Sequence, residues 1–233
     1  MMVGGAPLRI LAVCSHNRTR SVMIEAMLTS MLRQRLGEDS VDVVSSGFGP
    51  VGLPPIDEAV EAMGRRGLDV SSHRSSATTR ELVESVDLVL TAERQHVVKI
   101  ASLSPASFRQ AMTLPEFLDA AASSASDEDD GVRSWVRSLT EPRTASAYLR
   151  EPVPEVADPT GSVSRIFEAA VVAIEQQCRI VCDLVIAGKE FLELVDDKKD
   201  PRQRFVRRAI SVALQILNAG FSKQVAAILE FQI

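Results

Sequence analysis

A cysteine and an arginine separated by five residues stand near the amino-terminal end of the chain. The stretch reads Val-Cys-Ser-His-Asn-Arg-Thr-Arg-Ser over residues 13–21 and follows a short apolar run. A loop of this length can wrap around a tetrahedral oxyanion with its backbone N–H groups pointing inward, and a helix that begins at its end adds a positive dipole. The spacing therefore predicts a phosphate-binding loop that contains a thiol.

Each residue type in this loop has a chemical use. We expect Cys14 to be a nucleophile, because the field that binds an anion also lowers the thiol pKa toward the ~3.5–7.5 range of activated cysteines. Arg20 can donate two parallel hydrogen bonds to phosphate oxygens, which a lysine cannot reproduce. Ser21 can donate to the thiolate, and Asn17 suits a positive-φ turn. The predicted anion-binding residues are Ser15, His16, Asn17, Arg18, Thr19, Arg20 and Ser21. The alternative is an inert cysteine at the end of a strand.

Phosphoryl transfer through cysteine also needs an acid that protonates the departing oxygen. Asp158-Pro159 lies in a predicted turn before a long helix, where the proline would fix the backbone beside the carboxylate. General acid catalysis of this kind contributes ~10²–10⁴-fold. We predict Asp158 as the acid, with an ordinary Asp-Pro helix start as the alternative.

Strands alternate with helices around these residues. Apolar runs predict strands at 8–13, 41–45, 86–91 and 111–114. Helical spacing predicts a helix that ends at Gly37 and further helices near 56–66, 79–85, 93–101 and 162–187. This order indicates an α/β fold with a parallel sheet covered on both faces, in which ligands bind beyond the carboxyl ends of the strands. Cys14 follows the first strand at that edge.

The sequence predicts one domain over residues 8–195 and a helical extension over 196–233. An insertion at about 121–154 contains the acidic run 127–130, which we expect to be a mobile, solvated loop. We expect the apolar stripes of the extension to pack on the domain or on a second copy of the chain, forming a homodimer, rather than on a membrane surface.

The bulk composition excludes several functions. The net charge is −5 and no long basic block occurs, which argues against nucleic-acid binding. No signal peptide or membrane span is visible, and three cysteines do not make a disulfide framework. The three histidines form no metal-ligand motif. We expect a cytoplasmic protein without metal or cofactor.

The loop, together with later segments, resembles the low-molecular-weight protein-tyrosine phosphatases and the arsenate reductases that share their fold. The resemblance includes Val-Ser-Ser-Gly at 44–47, Gly-Leu-Asp-Val-Ser-Ser-His-Arg at 67–74, the run at 86–91, and Asp158-Pro159. It implies a three-layer α/β/α, phosphotyrosine phosphatase I-like fold with a four-stranded parallel sheet. It also implies a phosphocysteine on Cys14, Asp158 as acid and then base, and substrates that are phosphorylated proteins or small phosphate esters.

The resemblance further implies a network that braces the loop, with Asn17, Ser21, Ser46 and His73 at the matching positions. Family loops usually carry Gly and Cys where His16 and Thr19 stand. Tyrosine phosphatases of this group often have aromatic residues after Asp-Pro, but this chain has Thr-Gly at 160–161. Another aryl phosphate or a sugar phosphate is therefore an alternative to phosphotyrosine.

Two rival functions stay open at this point. Arsenate reduction would need two further cysteines in a relay, and Cys178 and Cys182 are the available pair, although core thiols are the expected alternative. The second rival is a non-catalytic phosphate-binding module on the same fold.

Overall fold

A computed structural model describes residues 7–123, 131–141 and 143–194 of the chain. Four parallel strands form one sheet in the order β2-β1-β3-β4. The strands are β1 (Leu8–Cys14), β2 (Val41–Gly47), β3 (Leu88–Thr91) and β4 (Ala111–Thr113). All four predicted strands are thus present, and β1 places Cys14 at its last residue.

Helices connect the strands and cover both faces of the sheet. They are α1 (Arg20–Leu36), α2 (Asp57–Gly64), α3 (Arg80–Glu84), α4 (Arg94–Leu103), α5 (Leu114–Ser123), α6 (Gly131–Leu139), α7 (Ala145–Arg150) and α8 (Ser164–Leu194). A short 3₁₀ helix, Pro105–Arg109, precedes β4. The prediction of a three-layer α/β/α fold is confirmed.

Alternate side chains of β1 belong to two separate cores, because successive residues of a strand point to opposite faces. Ile10 and Ala12 belong to the core that also holds buried residues of α1, α5 and α8. Leu11 and Val13 belong to the core that holds residues of α3 and α4. Every residue of β1 except Arg9 is buried, which anchors the following loop on a rigid strand.

The predicted insertion contributes to these cores. Val136 of α6 is packed in the same core as α8, and Tyr148 of α7 is packed in the core of α4. Arg143 binds Glu116 at 3.0 Å and lies over the rings of Phe108 and Tyr148, which fastens this segment to the end of the sheet. The predicted acidic loop at 127–130 and the predicted extension at 196–233 lie outside the described residues. Among the residues with described structure, no helix is long and apolar enough to cross a membrane.

Candidate active site

The loop between β1 and α1 is a tight turn. Its conformation depends on Asn17 within the loop and on Gly47 of the adjacent strand β2. Asn17 has φ 53, the left-handed conformation that asparagine tolerates better than most residues. Cys14 lies beside Gly47 of β2 in the sheet register. A Cβ atom at Gly47 would lie 2.7 Å from the Asn17 nitrogen and 3.0 Å from the Cys14 carbonyl oxygen. Any larger residue at position 47 would therefore push the loop out of place.

The sulfur of Cys14 lies among polar donors although the residue is only 3% exposed. Its Sγ atom is 3.1 Å from Ser21 Oγ and accepts a hydrogen bond from the Asn17 backbone nitrogen at 3.3 Å. Asn17 Nδ2 donates to Ser21 Oγ at 3.0 Å. Because Ser21 Oγ accepts a hydrogen bond from the Asn17 side chain, the hydroxyl hydrogen of Ser21 is available for the sulfur. The sulfur is thus within hydrogen-bond distance of two donors.

The amide of Asn17 connects this loop to β2 through Ser45, not through Ser46. Asn17 Nδ2 donates its second hydrogen to Ser45 Oγ at 2.7 Å. Ser46 Oγ instead pairs with Thr78 Oγ1 at 2.7 Å. Neighbouring residues of a strand face opposite sides of the sheet, so only one of the two serines can reach the loop. The prediction that Ser46 joins Asn17 in the bracing network is wrong, and Ser45 takes that place.

His73 contacts the loop from the side of α1. Its Nε2 atom donates to the Asn17 carbonyl oxygen at 3.0 Å, and its Nδ1 atom lies 3.9 Å from Glu25 Oε2. Glu25 also accepts the hydroxyl hydrogen of Ser45. Burial raises the pKa of Glu25, and this exceeds the opposing effects of the Ser45 hydrogen bond and of His73. The loop is thus fixed to both α1 and β2.

Arg20 is buried at the start of α1 and reaches across the sheet edge. Its Nη1 atom donates to the Val156 carbonyl oxygen at 3.0 Å. Its Nη2 atom lies 2.5 Å from Glu93 Oε1 and 2.8 Å from Asp158 Oδ2. Burial alone would raise the pKa of Glu93, but hydrogen bonds from Gln95 and Arg20 outweigh it and hold that pKa below its ordinary value. The guanidinium is therefore held between two carboxylates.

The segment that carries Asp158 is docked on the carboxyl ends of β3 and β4. Val156 donates to the Ala92 carbonyl at 2.8 Å, and Thr113 Oγ1 donates to the Pro154 carbonyl at 2.7 Å. The Asp158 side chain is 48% exposed, so its carboxylate stands at the solvent side of Arg20. The carboxylate is therefore accessible to solvent as well as bound to Arg20.

The other predicted loop residues differ in where their side chains lie. His16 is exposed beside Gly49, where an added Cβ would come within 2.7 Å of the imidazole. Arg18 Nε donates to the Pro54 carbonyl at 2.6 Å, and Thr19 Oγ1 lies 3.4 Å from Thr160 Oγ1. Ser15 Oγ lies 3.1 Å from His96 Nε2. The side chains of Ser15, Arg18 and Thr19 thus contact other parts of the protein, and that of His16 is exposed.

Sequence reasoning missed Glu93 and His96, which follow β3. The available signal was position, because β3 neighbours β1 and the carboxyl ends of parallel strands meet at one edge. Of the residues with described structure, no group of three or more His, Cys, Asp or Glu side chains is arranged to hold a metal ion.

Comparison with known proteins identifies the family. The model of the family described as low molecular weight phosphotyrosine protein phosphatase matches residues 9–134, more than half of the chain. The chain belongs to this family. It is therefore a phosphatase enzyme, and the sequence-based expectation on this point is confirmed.

Among curated relatives, the probable low molecular weight protein-tyrosine-phosphatase EpsP of Ralstonia nicotianae is 38% identical over 108 residues, 46% of this chain and 70% of EpsP. The protein-arginine-phosphatase of Bacillus subtilis is 37% identical over 110 residues, 47% of this chain and 71% of that protein. The crystal structure of a YwlE mutant from Bacillus subtilis superposes with a TM-score of 0.57 at 26% identity and covers 77% of this chain and 99% of YwlE. The family and the fold are therefore shared with these phosphatases.

Proposed function

We propose that this phosphatase hydrolyses phosphorylated protein side chains, phosphotyrosine first, through a phosphocysteine on Cys14. The proposal rests on the position of the Cys14 sulfur, which lies between the Ser21 hydroxyl and the backbone nitrogen of Asn17. The loop that holds this sulfur ends at the buried Arg20. We expect an anion bound there to meet the nucleophile, the loop N–H groups and the guanidinium of Arg20 together.

In the first step the Cys14 thiolate attacks phosphorus in line with the ester oxygen. The sulfur–phosphorus bond forms, the phosphorus–oxygen bond breaks, and the electron pair moves to the leaving oxygen. The Asp158 carboxyl group donates its proton to that oxygen, while Arg20 and the loop amides bind the three other oxygens. Asp158 must exchange its contact with Arg20 for the leaving group, which its half-exposed position allows.

In the second step Asp158, now a carboxylate, accepts a proton from water. The water oxygen attacks phosphorus, the sulfur–phosphorus bond breaks, and inorganic phosphate leaves. The Ser21 hydroxyl stabilises the departing thiolate by the hydrogen bond that it makes at 3.1 Å. Asn17 keeps Ser21 in that orientation because it donates to the serine oxygen.

The substrate side chain is the finer part of the proposal. The similarity to EpsP supports phosphotyrosine, and the similarity to the arginine phosphatase of Bacillus subtilis supports phosphoarginine as a second candidate. Thr160 and Gly161 follow Asp158-Pro159, so no aromatic ring comes from that segment. The Phe48 ring, at the start of the Gly-Pro loop, stacks on His96 with ring centroids 6.0 Å apart.

A direct test compares the full chain with its Cys14→Ser variant on p-nitrophenyl phosphate. We expect turnover by the wild type and a loss of at least ~10⁴-fold in the variant, the scale on which removal of a nucleophile acts. Equal turnover by the variant would overturn the proposed mechanism, and no turnover by the wild type would favour the non-catalytic rival. The same peptide carrying phosphotyrosine, phosphoserine or phosphoarginine then ranks the substrates, and a preference for phosphoarginine would refute the tyrosine assignment alone.

Arsenate reduction is the alternative that other relatives support. A putative arsenate reductase of Halobacterium salinarum is 34% identical over 79 residues, which are 34% of this chain and 55% of that protein. A thiol relay would need Cys178 and Cys182, but both are buried in α8 and burial raises the pKa of each thiol. A thioredoxin-coupled arsenate assay decides: we expect no reduction, and reduction that is lost in Cys178→Ser would replace our proposal.

A further inference from the structure

His96 lies under the phosphate loop and has no solvent-exposed surface. It is the third residue of α4, and both of its ring nitrogens have partners. The Glu93 backbone nitrogen donates to His96 Nδ1 at 3.1 Å. On the other side of the ring, Nε2 lies 3.1 Å from Ser15 Oγ. The imidazole thus joins the first turn of α4 to the residue that follows Cys14.

These contacts fix the tautomer of the ring. A backbone nitrogen can only donate, so His96 Nδ1 must accept and carries no hydrogen. The hydrogen of a neutral imidazole is then on Nε2, which donates to Ser15 Oγ. A second proton would set an N–H group against the N–H group of Glu93. Burial agrees with this geometry, since it lowers the pKa of His96 to about 4 despite the opposing charge of Glu93.

Ser15 is consequently held at three points. Its hydroxyl accepts from His96, and its carbonyl oxygen accepts from the Phe48 nitrogen at 2.9 Å. The Phe48 ring in turn stacks on His96. The third point is its covalent bond to Cys14, the last residue of β1. Because Ser15 Oγ accepts from the ring, its own hydrogen must point elsewhere, and the direction of that hydrogen is set by His96.

The same turn of α4 also holds the guanidinium. Glu93, whose nitrogen binds His96, places its carboxylate 2.5 Å from Arg20 Nη2. A change in the His96–Glu93 contact would therefore move a partner of Arg20, and a change in the His96–Ser15 contact would move the neighbour of the nucleophile. The two contacts lie at opposite ends of one rigid ring.

We propose that His96 is a positioning residue for phosphoryl transfer, which as a neutral N–H donor to Ser15 fixes the loop residue beside Cys14. This inference rests on the proposed function. His96 touches no reacting atom, so its effect on the rate would come from its contact with Ser15.

Two amide variants separate the two contacts. In His96→Gln the side-chain amide extends to the position of Nε2 and can still donate to Ser15. In His96→Asn it extends only to the position of Nδ1 and can still accept from Glu93. We expect His96→Asn to lower kcat/KM for p-nitrophenyl phosphate by ~10–100-fold, the scale of a small misplacement of reacting groups. We expect His96→Gln to stay much closer to wild type. Ser102→Ala is the matched control on α4, because this exposed hydroxyl donates to the Val98 carbonyl within the helix.

A double-mutant cycle then shows whether the effect runs through Ser15. We expect Ser15→Ala to lower kcat/KM about as much as His96→Asn, and the double variant to lose no more than either single variant. The inference would be overturned if His96→Asn were as active as wild type, or if the Asn and Gln variants lost the same activity. Additive losses in the double variant would overturn it as well. If His96→Asn does not fold, Ser15→Ala alone decides, since an unchanged kcat/KM at an unchanged Tm would contradict it. Cys14→Ser measured alongside tells failure of this inference from failure of the proposed function.

Discussion

This chain buries cysteine in two regions, the loop between β1 and α1 and the middle of α8. Cys14 is 3% exposed, Cys178 is fully buried and Cys182 is 1% exposed, so burial hardly distinguishes them. Their surroundings differ. All three belong to the apolar core shared by α1, α5 and α8, but the Cys14 Sγ atom also has a hydroxyl at 3.1 Å and a backbone nitrogen at 3.3 Å.

The difference shows what makes a buried thiol useful. In α8, burial raises the pKa of Cys182 to about 12 and that of Cys178 well above its ordinary value, so both stay protonated at neutral pH. In the loop, the Cys14 sulfur has two close neighbours that can donate a hydrogen bond, the Ser21 hydroxyl and the Asn17 backbone nitrogen. Donors stabilise the thiolate and apolar contacts stabilise the thiol. The comparison therefore predicts reactivity in one region and inertness in the other.

Alkylation tests this contrast most severely. At neutral pH we expect iodoacetamide to modify Cys14 at least ~10³-fold faster than Cys178 or Cys182, because only the thiolate reacts. Vanadate should protect Cys14, since it occupies the phosphate loop. Peptide mapping by mass spectrometry gives the three rates. Comparable rates at all three cysteines would break the comparison.

Replacing Arg20 by lysine tests the guanidinium at the end of the loop. We expect kcat/KM to fall ~10²–10³-fold, the effect of removing one transition-state donor, because lysine lacks the fork. Arg35→Lys is the matched control, since Arg35 is also in α1 but pairs with Asp183 of α8 at the surface. We expect that control to keep wild-type kinetics, and an equal loss in both variants would point to a damaged helix.

Two small substitutions should have opposite effects in the two regions. Ser21→Ala removes the hydroxyl from Cys14 and should lower kcat ~10-fold, the value of about one hydrogen bond, and because the buried Asn17 amide also loses an acceptor, Tm should fall as well. Cys178→Ser puts a hydroxyl into the apolar core and should reduce the free energy of unfolding by ~1–3 kcal/mol while kcat is kept. Urea unfolding and steady-state kinetics measure both. Loss of kcat in folded Cys178→Ser would contradict the assignment of that thiol to the core.

The two regions should also lose stability at opposite ends of the pH range, the loop region through His96 at acid pH and α8 through Cys182 at alkaline pH. His96 has a folded pKa of about 4, below its ordinary 6.5, so its contribution is complete above pH 6.5 and is lost as the pH falls toward 4. Cys182 has a folded pKa of about 12, above its ordinary 9.0, so its contribution is lost as the pH rises beyond 9. Each contribution is on the order of 3–4 kcal/mol, at ~1.36 kcal/mol per pKa unit.

Variants show which region causes each loss. Urea unfolding across pH should give a smaller acid loss in His96→Gln and a smaller alkaline loss in Cys182→Ala than in wild type. An acid loss that is the same in wild type and His96→Gln would mean that His96 titrates normally.

Much of the fold and half of the site follow from local sequence signals. The apolar runs predict all four strands, and the helical spacing predicts several of the helices that cover the sheet. The Cys14 to Arg20 spacing predicts the loop, because five residues between a strand and a helix leave few other conformations. The structure also brings Asp158 to Arg20, although 138 positions separate them.

The remaining site residues depend on tertiary geometry. Ser45 and Ser46 are the same residue type side by side, and only the register of β2 decides which one faces Asn17. Glu93 and His96 form no motif with the loop, since their role comes from the adjacency of β1 and β3. A strand order is not encoded in any short segment, so these contacts could not be predicted locally.

The most direct test of the account is to trap the covalent intermediate. The Asp158→Asn variant should accumulate it with p-nitrophenyl phosphate, because this leaving group needs no acid while hydrolysis still needs a base. Rapid acid quench, proteolysis and mass spectrometry then locate the phosphoryl group. We expect a phosphocysteine at Cys14 and none at Cys178 or Cys182. A phosphoryl group on another residue, or turnover without any phosphoenzyme, would contradict it.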